Sequence, residues 1–436
     1  PSSAASDVYK RQLLRRAPGA RAMSVDEMPW RPAAMAQVES DEEAPPGFVA
    51  LRFAGIGMMA RMIEPEKLNE PVDWINLTEK LEAWGEVPEP GSITSLQNMP
   101  NERGLNAILK ADSTWLAEFL PWLSDGRIRA RAKAAPEGSR IPIGGYSFEG
   151  RDVVILRHLE DDIENSAGII TNALAADDAE SAQDELRNAG MVLGRYHTKA
   201  GEARITPSDQ SRWNARNQWL EETLRATFLW RAPYSKDQPC TLSLMDIRFS
   251  DICGDSLRIG RTRLADALRP PVCEFPAMRD LASLAHDLSR LHHNSGSKLE
   301  LMPLRLALIE GWKSTAPAEW STDDSFYSHR GGLAIWEYEQ CLMDVLEASS
   351  HQSGAPQPAV EILRYVQSYQ KKMFSNRTFG ALSAMAGFFG LATLYWTFPW
   401  TLDEVVLPLI FIGTSALLMR MYRRMSPPPE RPFSMI

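Results

Sequence analysis

The residue types that could do chemistry in this sequence concentrate in "TLSLMDIRFSDICG", residues 241–254. There Asp246 and Asp251 stand five positions apart, and the only other charge is Arg248. Whether Asp246 works there as a catalytic base, or the loop is only structural, is the question this stretch raises. Other chemistries find less support. Cys240, Cys253, Cys273 and Cys341 lie far apart with no CxxC pair, which argues against a disulfide framework or a zinc module and fits a reducing compartment. The seven histidines include no HExxH, and His292-His293, at the end of an apolar helix pattern, reads as a polar helix terminus.

The elements that must position the two acids are set by the rest of the chain. At 436 residues it is long enough for one large two-lobed domain or two ordinary ones. A net charge of -9, with no basic stripe before the C-terminal region, argues against a general nucleic-acid binder. Residues 1–22 contain "DVYKRQ", which reads as a translated sequencing adaptor, so they are set apart from the fold and Met23 is the expected start. Residues 23–46, acidic and proline-containing, are expected to form a disordered lead-in.

Beyond that point strand-like and helix-like stretches alternate without an internal repeat. "GSITSLQNMPNERGLNAILKAD" reads as a hairpin around residues 98–104, and "TWLAEFLPWL" as an amphipathic helix. "IPIGGYSFEGRDVVILRHLED" reads as two strands punctuated by Gly150, with residues 153–156 forming a buried run. Strand character returns at "CTLSLMDIRF", and from "PAMRDLASLAHDLSRLHH" to "AVEILRYVQSYQKKM" the pattern is helical. A small β-rich part, residues 47–155, is thus followed by a larger helical part, residues 156–370, which is an α+β organisation.

The C-terminal end is apolar. "FGALSAMAGFFGLATLYWTF", residues 379–398, is 20 residues without a charge, enough to cross a hydrocarbon core of about 30 Å. "VVLPLIFIGTSALLM", residues 405–419, follows after a short connection, so residues 371–425 are expected to form a transmembrane helical hairpin with a tail at 426–436. Lys371, Lys372 and Arg377 precede it, Arg420, Arg423, Arg424 and Arg431 follow it, and the connection holds Asp403 and Glu404. By the positive-inside rule both ends are expected in the cytoplasm, which makes the chain an integral membrane protein with a large cytoplasmic domain. Tyr395, Trp396 and Trp400 would then sit at the outer interface. A buried pair of soluble helices is the plain alternative.

"IPIGGYSFEGRDVVILRHLED", "AGMVLGRYH", "LSLMDIRFSDI" and "PAMRDLASLAHDL", in that order, resemble the aminoglycoside phosphotransferase and choline-kinase-like family, over about residues 90–320. The resemblance implies a two-lobed protein-kinase-like fold, with a small β-rich N-lobe and a larger helical C-lobe. It also implies ATP and Mg as cofactors. The family pattern is His, Gly, Asp, four residues, then Asn; here it is met by Leu244, Met245, Asp246 and, at the last position, Asp251. Asp246 keeps the place of the base that accepts the acceptor proton, and Asp251 can hold magnesium through a carboxylate oxygen. Leu244 removes the histidine that braces the loop.

By the same resemblance Lys110, closing the hairpin, would hold the nucleotide phosphates. Lys133 is its rival, although only 23 residues separate it from Leu156, and an exposed strand-end lysine is the plain alternative for Lys110. Glu118 is the carboxylate placed to pair with Lys110. The turn at 98–104 has one glycine where the family has a glycine-rich phosphate loop. Residues 156–160, beginning with Leu156, would form the hinge that meets adenine, or else a plain buried strand. Glu274, in "VCEFPAMRD", stands in for the second metal-binding aspartate, or is a loop acid with no metal. His197 is expected to be structural, and Asp280 to anchor the catalytic loop from the start of a helix.

Two classes of function follow. With the glycine-rich loop and the loop histidine both missing, a pseudokinase used as a nucleotide-binding or regulatory module is the favoured reading. The alternative is an active ATP- and Mg-dependent phosphotransferase acting on a hydroxyl of a small molecule, a lipid head group or a protein. A non-kinase membrane-anchored scaffold is a third. The expected partners are the membrane and a nucleotide, with no nucleic acid. The acidic run at 161–185 reads as a solvated helix face or as an attractor for a cationic substrate.

Overall fold

A computed structural model of the chain describes residues 35–37, 48–53, 59–63, 68–101, 104–120, 127–159, 164–224, 238–260, 263–269, 273–322, 332–350 and 357–425. Three strands come first, β1 (Met35–Gln37), β2 (Phe48–Phe53) and β3 (Met59–Ile63), paired antiparallel in a sheet of their own. β1 falls within the segment expected to be a lead-in, and β2 and β3 do not join the N-lobe sheet. "FVALRF" and "MARMI" supply β-prone residues on either side of a short connection, so the local hairpin closes at small entropic cost and β1 adds to its edge.

The N-lobe begins with α1 (Pro71–Thr78), whose first turn is closed by a capping box between Glu70 and Asp73. Then come β4 (Glu82–Gly85), β5 (Ser95–Asn101), β6 (Gly104–Lys110), β7 (Thr114–Phe119), α2 (Arg127–Ala134), β8 (Gly144–Phe148) and β9 (Arg151–His158). The six strands form one antiparallel sheet in the order β4-β8-β9-β7-β6-β5. Glu149 and Gly150, with φ of 50° and 73°, make the tight turn between β8 and β9 that the glycine signals in the sequence. "TWLAEF" is a strand, not the amphipathic helix its spacing suggests. It pairs with β6 on one side and β9 on the other, which satisfies its backbone, and Pro121 disfavours a helix running on through that point. Alternate residues Leu105, Ala107, Leu109, Trp115, Ala117 and Phe119 enter the core, where Trp74 of α1 meets Phe119 and Tyr146 edge-on.

The larger lobe is helical. It contains α3 (Ser166–Ala175), α4 (Ala179–Ala203), α5 (Gln210–Thr223), the short strands β10 (Cys240–Thr241), β11 (Ile252–Cys253) and β12 (Ser256–Leu257), α6 (Leu264–Leu268), β13 (Phe275–Pro276), α7 (Ala277–Ser295), α8 (Leu301–Thr315) and α9 (Gly332–Ser350). Asn165, Asp178 and Asp209 cap α3, α4 and α5 by accepting from first-turn amides. A small antiparallel sheet followed by a helical lobe, with the catalytic-loop sequence between β10 and β11, is the α+β two-lobed architecture of a kinase-like domain. Its helical core is heavily ionic. α9 buries Glu337, Glu339 and Asp344 and meets Arg305, Arg216, Arg279 and Arg263, so charges are paired with charges where apolar contact is the rule.

Two more helices close the chain, α10 (Gln357–Trp396) and α11 (Leu402–Met425). α10 is one unbroken helix of 40 residues whose start packs into the lobe through Ala359, Ile362 and Leu363. Its second half, Ser375–Trp396, and α11 are each long and apolar enough to cross a membrane, and most of both is unburied. Phe388, Leu391, Tyr395, Trp396, Leu402 and Ile410 are exposed.

Candidate functional site in the cleft between the lobes

One wall of the cleft is the loop from Ser243 to Asp251, and Asp280 in the first turn of α7 holds it. The Asp280 carboxylate accepts from the Leu244 amide at 2.7 Å and from the Ser243 hydroxyl at 2.5 Å, and His197 Nε2 lies 3.1 Å away. Trp312 Nε1 donates to His197 Nδ1 at 2.9 Å, so the His197 proton sits on Nε2 and is donated to Asp280. Burial alone pushes the Asp280 carboxyl up. The donors from His197, Ser243 and Leu244 outweigh it and hold the group below the ordinary carboxylate value. His197 is thus structural and Asp280 braces the loop through the backbone, with Leu244 adding buried apolar surface where the family pattern has a histidine.

Met245, at the glycine position of that pattern, has φ of 69°, the left-handed region that a side chain disfavours. Arg279 Nη1 donates to the Met245 carbonyl at 3.3 Å, and Leu244 is fixed on the other side, so the surroundings impose the conformation. Asp246 is buried, with Arg248 Nε 3.4 Å from Oδ1. Asp251 accepts from the Arg248 amide at 3.0 Å and closes the loop's single short turn.

The opposite wall is made by β7, β9 and the residues after β12. Arg157 Nε donates to Glu118 Oε2 at 2.8 Å, and Arg258 donates to Glu118 Oε1. The other two nitrogens of Arg157 donate to the carbonyls of Arg140 and Ile259. The Arg157 and Glu118 side chains are both 7% exposed, so this is a desolvated pair whose further bonds come from both lobes. Gly260, at φ of 147°, makes room for it: a Cβ there would stand 2.7 Å from Arg157 Nη2 and 2.5 Å from Ile155 Cδ1. Between the walls is a cavity of about 10 Å³, lined by Glu118, Arg157, Leu244, Asp246, Asp251 and Gly260 among others, with room for about one water molecule.

Of the residues singled out from sequence, the fold brings Asp246, Asp251 and Glu118 to this cavity. Lys110 is exposed at the end of β6, and its carbonyl accepts from Thr94. Leu156 is buried in mid-sheet, where its carbonyl accepts from the Ile143 amide at 2.9 Å; β9 continues to His158, and Glu160 lies outside the described residues. Glu274 is a buried acid paired with Arg127 at 3.3 Å and Arg204 at 3.6 Å, away from the cavity lining. The segment that the β11–β12 hairpin returns to the cleft is Arg258 to Gly260.

In protein kinases the phosphate-binding lysine stands on the third strand and pairs with a glutamate on the next helix. The third strand of the β5-β6-β7 series carries Glu118, and α2 carries Arg127, Arg129, Arg131 and Lys133 with no acid. Charge on these two elements is reversed. Arg131 Nε donates to the Ser243 carbonyl at 2.7 Å, so α2 is tied directly to the catalytic loop. Three acids line the cavity, yet among the described residues no group of His, Cys, Asp or Glu is arranged to hold a metal ion, and Glu118 is already engaged by two guanidiniums. Asp246 and Asp251 are the acids of the lining that could hold magnesium with a nucleotide, since that ion needs only one or two carboxylates beside phosphate and water oxygens. Arg157 and Arg258 were missed in the sequence; the signal was an arginine directly after the buried run "VVIL" and another in "LRIG".

No protein-family model matches the sequence, and no curated protein matches it significantly. Among solved structures, a glucosamine kinase in complex with glucosamine, ADP and inorganic phosphate is similar at 11% identity with a TM-score of 0.48, covering 78% of this chain and 94% of that one. An ethanolamine kinase from Plasmodium vivax is similar at 12% identity with a TM-score of 0.38, covering 64% of this chain and 82% of that one.

Proposed function

We propose that this chain is a membrane-anchored kinase-like module with a regulatory role, a pseudokinase whose cleft is latched by its own side chains. The observation that carries this reading is the Glu118–Arg157–Arg258 cluster, which fills the strand wall of the cleft with guanidiniums bonded to both lobes. A nucleotide with its magnesium would have to displace a buried ion pair, and breaking one by removing a partner costs about 3–5 kcal/mol. The full chain in detergent micelles, given ATP and Mg, is expected to show no phosphate transfer or ATP hydrolysis above an Asp246→Asn background. Robust turnover that disappears in Asp246→Asn overturns the proposal.

One observation favours active phosphoryl transfer instead: Asp246 and Asp251 face the same cavity on a braced loop. In that case Asp246→Asn abolishes transfer and leaves nucleotide affinity unchanged, because the base acts on the acceptor hydroxyl. Anchoring is supported by the two apolar, mostly unburied helices, and the cytoplasmic orientation by their basic flanks. A thiol introduced beside Asp403 is expected to be labelled from outside intact cells and one beside Ser426 is not. The reverse pattern turns the topology over.

A further inference from the structure

We infer that the basic end of the helical hairpin is a binding site for the phosphate headgroups of anionic phospholipids. The inference rests on the membrane anchoring proposed above. In sequence the two basic clusters flank different helices. The fold brings them to one level: Asn376 Nδ2 donates to the Met425 carbonyl at 2.8 Å, and Ser383 and Ser415 exchange bonds about two to three turns further in, which sets α10 and α11 in antiparallel register. That register puts Lys371, Lys372 and Arg377 of α10 at the same end as Arg420, Arg423 and Arg424 of α11. The opposite end carries Asp403 and Glu404 with exposed Tyr395, Trp396 and Trp400.

Three things separate this collar from ordinary surface charge. Most described arginines of the two lobes are bonded to acids, from Arg127 with Glu274 to Arg305 with Glu337. Arg420, Arg423 and Arg424 are exposed, and none has an ion-pair partner among the described residues. The C-terminus of α11 supplies about half a negative charge, far less than these cations can compensate. Finally, the chain as a whole has a formal charge of -9, so a negatively charged leaflet would repel the lobes unless a local positive site faced it. The unbroken α10 puts this site directly beneath the helical lobe: from Leu363, packed in the lobe, to Ser375 at the start of the apolar span is about 18 Å at 1.5 Å per residue. Clustered Lys and Arg at this level of a spanning helix meet the phosphates of the cytoplasmic leaflet and leave no charge in the hydrocarbon.

The test is lipid selectivity of the full chain reconstituted in phosphatidylcholine bilayers with trace spin-labelled phosphatidylglycerol or phosphatidylcholine. The fraction of each label held motionally restricted by the protein is measured. The wild type is expected to favour phosphatidylglycerol several-fold, with the preference falling in high salt. In Arg420→Gln, Arg423→Gln and Arg424→Gln it is expected to fall roughly fivefold per arginine at most, and to vanish in the triple variant. Arg187→Gln with Arg195→Gln and Arg212→Gln, the same charge change on the lobe, is expected to leave it intact. Restricted lipid without headgroup preference overturns the site and leaves the anchor standing. No restricted lipid of either kind, with the protein stripped from vesicles by alkaline carbonate, overturns the anchor and the site together.

Discussion

The two walls of the cleft differ in what holds them. The loop wall hangs from one buried carboxylate, Asp280, which gathers the Leu244 amide, the Ser243 hydroxyl and His197 and so fixes the backbone on which Asp246 and Asp251 stand. The strand wall is an ion-pair cluster in which Arg157 and Arg258 share Glu118 and Arg157 also binds two carbonyls. The first arrangement fixes a backbone; the second, in the function proposed above, is the latch on the cleft. The difference teaches that a braced catalytic loop is not by itself evidence of catalysis. Asp280 is buried, and the fold needs its donors whether or not phosphate is transferred.

The comparison breaks most severely at Asp280. Asp280→Ala leaves the Leu244 amide, the Ser243 hydroxyl and His197 buried without their shared acceptor, and is expected to cost about 3–5 kcal/mol in denaturant unfolding. A cost below about 1 kcal/mol would show that the loop wall does not depend on this brace. Next is Glu118→Gln, which removes the charge facing two guanidiniums. It is expected to cost about 2–4 kcal/mol. Hydrogen exchange should rise at residues 155–158 and 258–260 and not at 243–246. Equal rises in both segments would mean that the walls open as one unit and that the contrast between them is false.

Acid should act on the loop wall and the ionic core together. Asp280, Glu339 and Asp344 are each held below their ordinary pKa: burial pushes all three up, and His197, Arg279 and Arg263 respectively lead the groups that outweigh it. A carboxyl whose folded pKa is depressed contributes stability that is fully present above its unfolded value and lost as pH falls through the folded one. Unfolding free energy is therefore expected to decline as pH drops below about 4. A flat profile in urea titrations from neutral pH down to that range and below would contradict these directions. The smallest effect is expected from Leu244→His. It restores the loop histidine of the family pattern, yet transfer activity should stay at background, because the strand wall is still filled. Turnover gained from that change alone would locate the defect in the loop.

Much of this organisation is visible in the sequence. The β8–β9 turn follows from Gly150, the loop and the anchoring place of Asp280 from the family resemblance, and the two apolar helices from length and charge. "TWLAEF" misled because six residues can fit either periodicity, and only pairing with β6 and β9 decides for a strand. For Lys110 the sequence leaves two readings open, because a lysine closing a hairpin looks the same whether it faces a cleft or solvent; in the structure it is exposed. Once β7 is a strand, Glu118 faces inward and its partners come from 39 and 140 residues away.

Strand, helix and membrane-length helix are legible where a signal is local, such as a turn glycine or an uncharged run. Those signals act over a few residues, where backbone sterics and side-chain periodicity are enough. The convergence of Arg157 and Arg258 on Glu118, and the tie of α2 to Ser243 through Arg131, appear only once the chain is folded. Burial creates these relations: a charge removed from water must find an opposite charge or a carbonyl, and which one it finds depends on how distant elements pack.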